Sequence, residues 1–141
     1  MPESDYIKLM EQGEAAMLEE YFSTSSDMFA TFDTNGTFVR VNAAWTAVLG
    51  YPPSELVGRA FLTFVHPHDV ARTLEAFDTA NTSGERVSRF ENRYRHRDGS
   101  YRWLEWIGGK VPDGTAHYSA ARDITERKQR EESVGAGTDP G

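Results

Sequence analysis

The 141-residue chain contains no cysteine. That removes disulfides, thiolate nucleophiles and cysteine-ligated zinc from consideration. Lysine is scarce too, three residues against twelve arginines, a bias without functional content. No apolar run approaches the roughly 18 residues of a membrane span. The N-terminus MPESDYIKLMEQGE puts acidic residues where the apolar stretch of a secretory signal would stand. The absence of cysteine suits the cytoplasm. The net charge is −7. Such a chain repels nucleic acid and anionic lipid, so a DNA-binding role is disfavoured.

Aromatic residues make up 12% of the chain, enough for a folded core, and the length fits one domain. Residues 5–22 read as a helix with a narrow stripe of Ile7, Met10, Met17, Leu18 and Tyr21. Residues 28–33 and 37–41 read as strands joined at Thr34-Asn35-Gly36. Asn42 is expected to cap a short helix over 43–49, and Pro53 to begin another turn over 54–57. Phe61–Val65 is a short apolar run. Asp69 is expected to cap a helix over 70–80 whose Val70, Leu74 and Phe77 share a face. Three long strands follow at 86–97, 100–111 and 115–123, with Asp98-Gly99 and Pro112-Asp113-Gly114 at the turns. Thr125 is expected to cap a charged helix over 126–132, and Ser133–Gly141 to be disordered. This order predicts an α+β fold with one antiparallel five-stranded sheet.

One strand poses a question. Positions 89, 91, 93, 95 and 97 are charged, which makes that face wet. The opposite face carries Phe90, Asn92, Tyr94 and His96. A buried polar group without a partner costs roughly 1–3 kcal/mol. Asn92 and Tyr94 therefore need a ligand, water or protein partners, either each other or Ser119 across the sheet.

Six short patterns stand in a telling order: Asp33-Thr-Asn-Gly-Thr, Val41-Asn42-Ala-Ala, Leu49-Gly50-Tyr51 with Glu55-Leu56-Val57-Gly58, Val65-His66-Pro67-His68-Asp69, Phe90-Glu91-x-Arg93 with Asp98-Gly99-Ser100-Tyr101-Arg102-Trp103, and Asp123-Ile124-Thr125-Glu126-Arg127-Lys128. Together they resemble a PAS domain, the sensory module of bacterial and archaeal signalling proteins such as two-component systems. The resemblance covers about Tyr21–Arg130, with His68 where the family usually has Asp. It implies short helices over one face of the sheet, a flanking helix over 1–20, a PAS domain over 21–125, and the start of an output helix with a disordered tail over 126–141.

The resemblance also implies a pocket between the sheet and the short helices. Its expected lining is Ala30, Phe32, Trp45, Leu49, Phe61, Leu74, Phe77, Asn92, Tyr94, Leu104, Trp106, Ser119 and Ala121. So many aromatics could also fill the space completely. Asp123, Ile124 and Thr125 are the expected relay to the output helix, with Arg122 or Arg102 as partner of Asp123. Phe29, Phe38, Trp103 and Ile107 are expected on the outer face, where the Tyr6–Phe22 helix or a dimer mate would cover them.

The flavin and coumarate photosensors of this family need a cysteine, which is absent. Its haem domains need a histidine on the long helix, and 70–80 has none. His66, His68 and Asp69 could be a metal set, yet Asp69 is better explained as a cap. Asp33-Thr-Asn-Gly lacks the later glutamate of a calcium loop. Glu91 and Glu105 lie on the wet face, a poor acid/base pair. The expectation is a non-catalytic sensory domain, with any cofactor unidentified, that binds a small molecule or relays strain to an output domain. It is either a fragment of a larger protein or a stand-alone partner. A ligand-free homodimerisation module is the first alternative. A cone-fold enzyme using Tyr94, His96 and His117 is the second.

Overall fold

The computed structural model describes residue 16 and residues 19–111 and 113–138. Alternation at 90–95 produces the expected strand, and four others join it. The strands are β1 (Met28–Asp33), β2 (Phe38–Val41), β3 (Val87–Arg95), β4 (Tyr101–Lys110) and β5 (Ala116–Asp123). They form one antiparallel sheet in the order β2-β1-β5-β4-β3. Helices α1 (Ala43–Leu49) and α2 (Val70–Ser83) cover its inner face, with three short 3₁₀ turns at Pro53–Glu55, Phe61–Phe64 and Pro67–Asp69. The exit helix α3 (Thr125–Thr138) leaves from β5. It continues past Ser133, so the disorder expected from there is corrected as far as Thr138. The expected Tyr6–Phe22 helix lies largely outside the described residues; 19–24 are helical.

Gly36 closes the first hairpin at φ 83°, and a Cβ there would sit 2.6 Å from the Phe61 ring. The hairpin can therefore pack flat on Phe61 only as glycine. The two strands it joins are out of simple register: Ala30 faces Val41, Thr31 faces Arg40, but Phe32 faces Phe38. Val39 is the extra residue of a bulge. Phe38 consequently turns inward, 1% exposed, against Phe32, Trp45 and Phe64. Its expected place on the outer face is corrected by that bulge. Phe29 does point outward, against Tyr21 and Phe22.

Leu74 is also corrected. It is 40% exposed, because α2 turns Thr73 and Ala80 to the core. The helix thus lies on a face of small and polar residues that apolar periodicity does not reveal.

Two expected caps serve tertiary contacts instead. Asn42 makes no cap bond; its Oδ1 accepts from the Phe29 amide, and its Nδ2 donates to the carbonyls of Phe22 and Asp27. Asp69 likewise does not cap α2. Its carboxylate accepts from the Arg93 amide at 2.8 Å, from Nε at 3.0 Å and from the guanidinium at 2.8 Å. The His66 amide donates to the Arg93 carbonyl at 2.8 Å, and Val65 bridges to Tyr94. This segment covers the open edge of β3, while Gly58, Arg59 and Ala60 cover the edge of β2. Both edges are thus partly covered, at Arg93 and Tyr94 on β3 and at Phe38 on β2.

Burial opposes the charge on Asp69, but the hydrogen bonds from Arg93 outweigh it and hold the carboxyl below its ordinary range. A carboxyl depressed in the folded state contributes stability above its unfolded pKa, about 3.9, and loses it as pH falls through the folded value. Asp69→Asn should cost roughly 3 kcal/mol at neutral pH, read by urea unfolding. It should also remove part of the stability loss below about pH 4; an unchanged acid limb would show that the pair contributes nothing.

Candidate functional site

The inner face of the sheet is uneven. Large side chains occupy it at Phe32, Tyr94, Leu104 and Trp106. A cross-strand row of Ala30, Ser119 and Gly108 is shallow. At Gly108 a Cβ would lie 2.4 Å from the Tyr118 carbonyl oxygen, so no side chain fits. Over this row runs α2, whose Ala76 and Ala80 are equally small. Two layers of small residues leave a cavity of about 80 Å³. It is lined by rings of Phe32, Phe61, Phe77 and Trp106 and by the polar residues Thr73, Asn92, Tyr94, His117 and Ser119.

A second bulge shapes its rim. Val87 faces Gly108 and Phe90 faces Trp106, so Ser88 and Arg89 stand opposite Ile107 alone. Arg89 takes a left-handed φ of 54°, which is uncommon for a side chain of this size. The insertion turns both Val87 and Phe90 toward the cavity. A shallow groove outside shares Ala76, Ala80, Val87 and Phe90 with it, which places the opening between α2 and the start of β3.

Asn92 is 2% exposed. Its Oδ1 accepts from the Trp106 indole at 2.7 Å, and its Nδ2 donates to Thr73 Oγ1 at 3.2 Å. Neither partner is Tyr94 or Ser119. Tyr94 is equally buried, between Trp45 and Trp106. Its hydroxyl has no hydrogen bond among the described residues, and burial pushes its pKa far up. His117 packs at a tilt against Phe77 with ring centres 4.5 Å apart, and its Nε2 lies 3.2 Å from Asn81 Oδ1. Burial, helped by Lys110, lowers its pKa and favours the neutral ring. The Ser119 Oγ is buried without a partner.

Of the thirteen residues expected at a pocket, Phe32, Phe61, Phe77, Asn92, Tyr94, Trp106 and Ser119 line the cavity. Ala30, Trp45, Leu49, Leu104 and Ala121 are buried in the adjoining core, and Leu74 is on the surface. Sequence reasoning missed Thr73, Ala76, Ala80, Val87, Gly108 and Gly109 as lining, whereas Phe90 and His117, both read as inward-facing, do line it. Small residues leave the space, and small residues give no apolar signal. His66 and His68 stand ring to ring, while the Asp69 carboxylate is engaged by Arg93; no group of three metal-ligating side chains occurs among the described residues.

On the outer face, the start of α3 is gripped by charges. Glu91 accepts from Lys128 and Arg127, and Arg127 also reaches Glu105 at 3.7 Å. The Lys128 ammonium stands 4.7 Å over the Trp103 ring. Asp123 pairs with Arg102, not Arg122, at 2.6 Å. Its other oxygen accepts from the Thr125 amide and hydroxyl, while the Trp103 amide donates to Thr125 Oγ1. Asp123 thus holds the helix entry, correcting the expectation that Thr125 caps it. Burial opposes the Asp123 charge, but its hydrogen bonds to Thr125 and Arg102 prevail and lower its pKa.

A family model described as the PAS fold matches residues 38–118, more than half of the chain. The chain belongs to the PAS family. The sheet order, the short helices and the exit helix are shared with solved PAS domains. One, from an HTR-like protein of Haloarcula marismortui, is 30% identical with a TM-score of 0.63, covering 85% of this chain and 99% of that one. Another is the PAS-B domain of Cycle from Drosophila melanogaster with bound ethylene glycol, 25% identical at a TM-score of 0.60, covering 68% of this chain and 96% of that one. In sequence, the Drosophila melanogaster protein Cycle is 32% identical over 79 residues, 55% of this chain. The chain spans about a fifth of that relative, 19% of its length. PAS domains are signal-sensing modules, found in sensor kinases and in transcription factors of the basic helix-loop-helix class. No helix among the described residues is long and apolar enough to cross a membrane.

Asn92 and Tyr94 should behave oppositely on substitution. Asn92→Leu strands the Trp106 indole and the Thr73 hydroxyl, and should cost about 2 kcal/mol. Tyr94→Phe removes a hydroxyl with no protein partner and should leave stability at or above wild type. Chemical denaturation of the two variants checks the contrast; equal losses would contradict it.

Proposed function

We propose that this PAS domain senses a small molecule in the cavity beneath α2 and passes its occupancy to α3, and through α3 to an output domain of a larger signalling protein. One observation carries the reading: the cavity wall and the grip on α3 are built on adjacent residues of the same strands. Asn92 faces the cavity, and Glu91 beside it holds Lys128 and Arg127. Trp106 faces the cavity, and Glu105 beside it reaches Arg127. On α2, Thr73 bonds Asn92 while Arg72 donates to the Glu91 carbonyl at 2.8 Å. A ligand that moves β3 against β4 displaces the carboxylates that fix the helix. The shift is between two arrangements, so the ligand must bind them unequally. The ethylene glycol in Cycle PAS-B is in keeping with a small molecule held by a similar domain. A cytoplasmic location, without enzymatic activity, is part of this reading.

Native mass spectrometry of the purified chain should show a bound mass that is lost on denaturation. Stripping it should change hydrogen exchange in α3. An empty domain whose α3 exchange is also unmoved by the cavity-filling Ala80→Phe would overturn the proposal.

The outer face supports a second reading, homodimerisation. Phe29, Ala120 and Ile107 form one cross-strand row, with Ile107 46% exposed beside Tyr118 at 39%. A patch of this kind fits a contact surface. If it is one, Ile107→Glu should convert a dimer to a monomer in light scattering with little change in melting temperature.

A further inference from the structure

The chemistry of the cavity points beyond occupancy to the class of occupant. We propose that it takes a small uncharged molecule with one hydrogen-bonding oxygen, such as an alcohol, phenol or carbonyl compound, anchored at Ser119. This rests on the reading of the cavity as a ligand site.

Size sets the first limit. A water needs roughly 10–15 Å³ of such volume, so about 80 Å³ corresponds to about five to eight non-hydrogen atoms. Haem and flavins are far larger. Charge sets the second. Among the described residues, no Lys, Arg, Asp or Glu lines the cavity. A buried ion of either sign would face aromatic rings and neutral dipoles without a counter-charge, which is prohibitive. The arginines of β3 cannot help, since strand alternation turns Arg93 and Arg95 to the outer face.

The polar inventory then singles out the anchor. Asn92 is occupied by Trp106 and Thr73. Asn81 Oδ1 can only accept, so the facing His117 Nε2 carries the proton and donates to it. The Asn81 orientation is supported by its Nδ2, which points to the Thr34 carbonyl. Ser119 Oγ is left buried and unpartnered on the cavity floor. A hydroxyl there can both donate and accept; the Oγ lies just beneath the cavity surface, and a turn about χ1 brings it to an occupant. Tyr94 offers a further hydroxyl, but Ser119 sits on the row of small residues that creates the void.

Phenol, toluene and benzoate, titrated separately into the intact chain and followed through the Trp106 indole resonance, test the proposal. Phenol should bind at least tenfold more tightly than toluene, and benzoate should not bind. Ser119→Ala should lower phenol affinity five- to tenfold and leave toluene unchanged. Without ligand the same variant should melt at or above wild type, because it removes an unpartnered buried hydroxyl; a purely structural Ser119 would lower the melting point. Tyr94→Phe should keep the phenol preference, and its loss there would overturn the anchor. Equal phenol and toluene affinities, or tighter benzoate, would overturn the ligand class while leaving the cavity a binding site. The ranking on the wild-type chain decides this even where a variant fails to fold. No binding by any of the three overturns the class and, joined to an empty native mass spectrum, removes the sensing reading as well.

Discussion

The ion pair between Asp69 and Arg93 sets the distance between the long helix and the edge of the sheet. Three hydrogen bonds converge on a carboxylate that is only 5% exposed. Two of them come from the side chain and one from the backbone of β3, so the pair fixes strand position and not merely charge. With α2 pinned at its first turn, its small residues Ala76 and Ala80 must pass over Gly108 and Ser119. The void between them follows from that placement. A buried pair of this type is weak evidence for net stability, since desolvation offsets its attraction. Its contribution here is geometric: without it α2 could settle onto the sheet and close the space.

The grip on the exit helix has the opposite character. Glu91, Glu105, Arg127 and Lys128 are all between about a fifth and a half exposed. Pairs of that kind contribute on the order of 0–1 kcal/mol each. The whole clamp is therefore worth about as much as a tenfold difference in ligand affinity, roughly 1.4 kcal/mol. A clamp built from deeply buried pairs could not be released by a small molecule. Under the proposed reading, a rigid buried pair holds the cavity open and a soft exposed cluster reports on it, and β3 carries both.

Much of this was legible in the sequence. Alternating charge through residues 89–95 located β3 and its wet face, and Asn35-Gly36 and Asp98-Gly99 located two hairpins, because both signals are local. Phe38 was misplaced because one extra residue, Val39, puts Phe38 and Val41 on the same inner face, which strict alternation forbids. Leu74 was misplaced because apolar periodicity weighs side-chain size, whereas α2 turns Thr73 and Ala80 inward. Asn42, Asp69 and Thr125 carry the chemistry of helix caps, yet each bonds across the fold, a choice made by tertiary neighbours that no local pattern contains. The cavity was hidden for a related reason. It was expected among the aromatics that wall it, but it exists where Gly108, Ser119, Ala76 and Ala80 fail to fill the gap.

That failure to fill has a physical cost. A void of this size forgoes on the order of 2 kcal/mol of packing, and an unpartnered buried hydroxyl adds about 1–3 kcal/mol. Domains are stable by only about 5–15 kcal/mol in total. The same core packs Phe32, Phe38, Phe61, Phe64, Trp45 and Trp106, so large side chains are not lacking. A leucine at Ala80 or an alanine at Ser119 would recover part of the loss by a single substitution. The proposed ligand accounts for both defects at once: its body occupies the cavity beneath α2, and its oxygen supplies the hydrogen bond that Ser119 lacks.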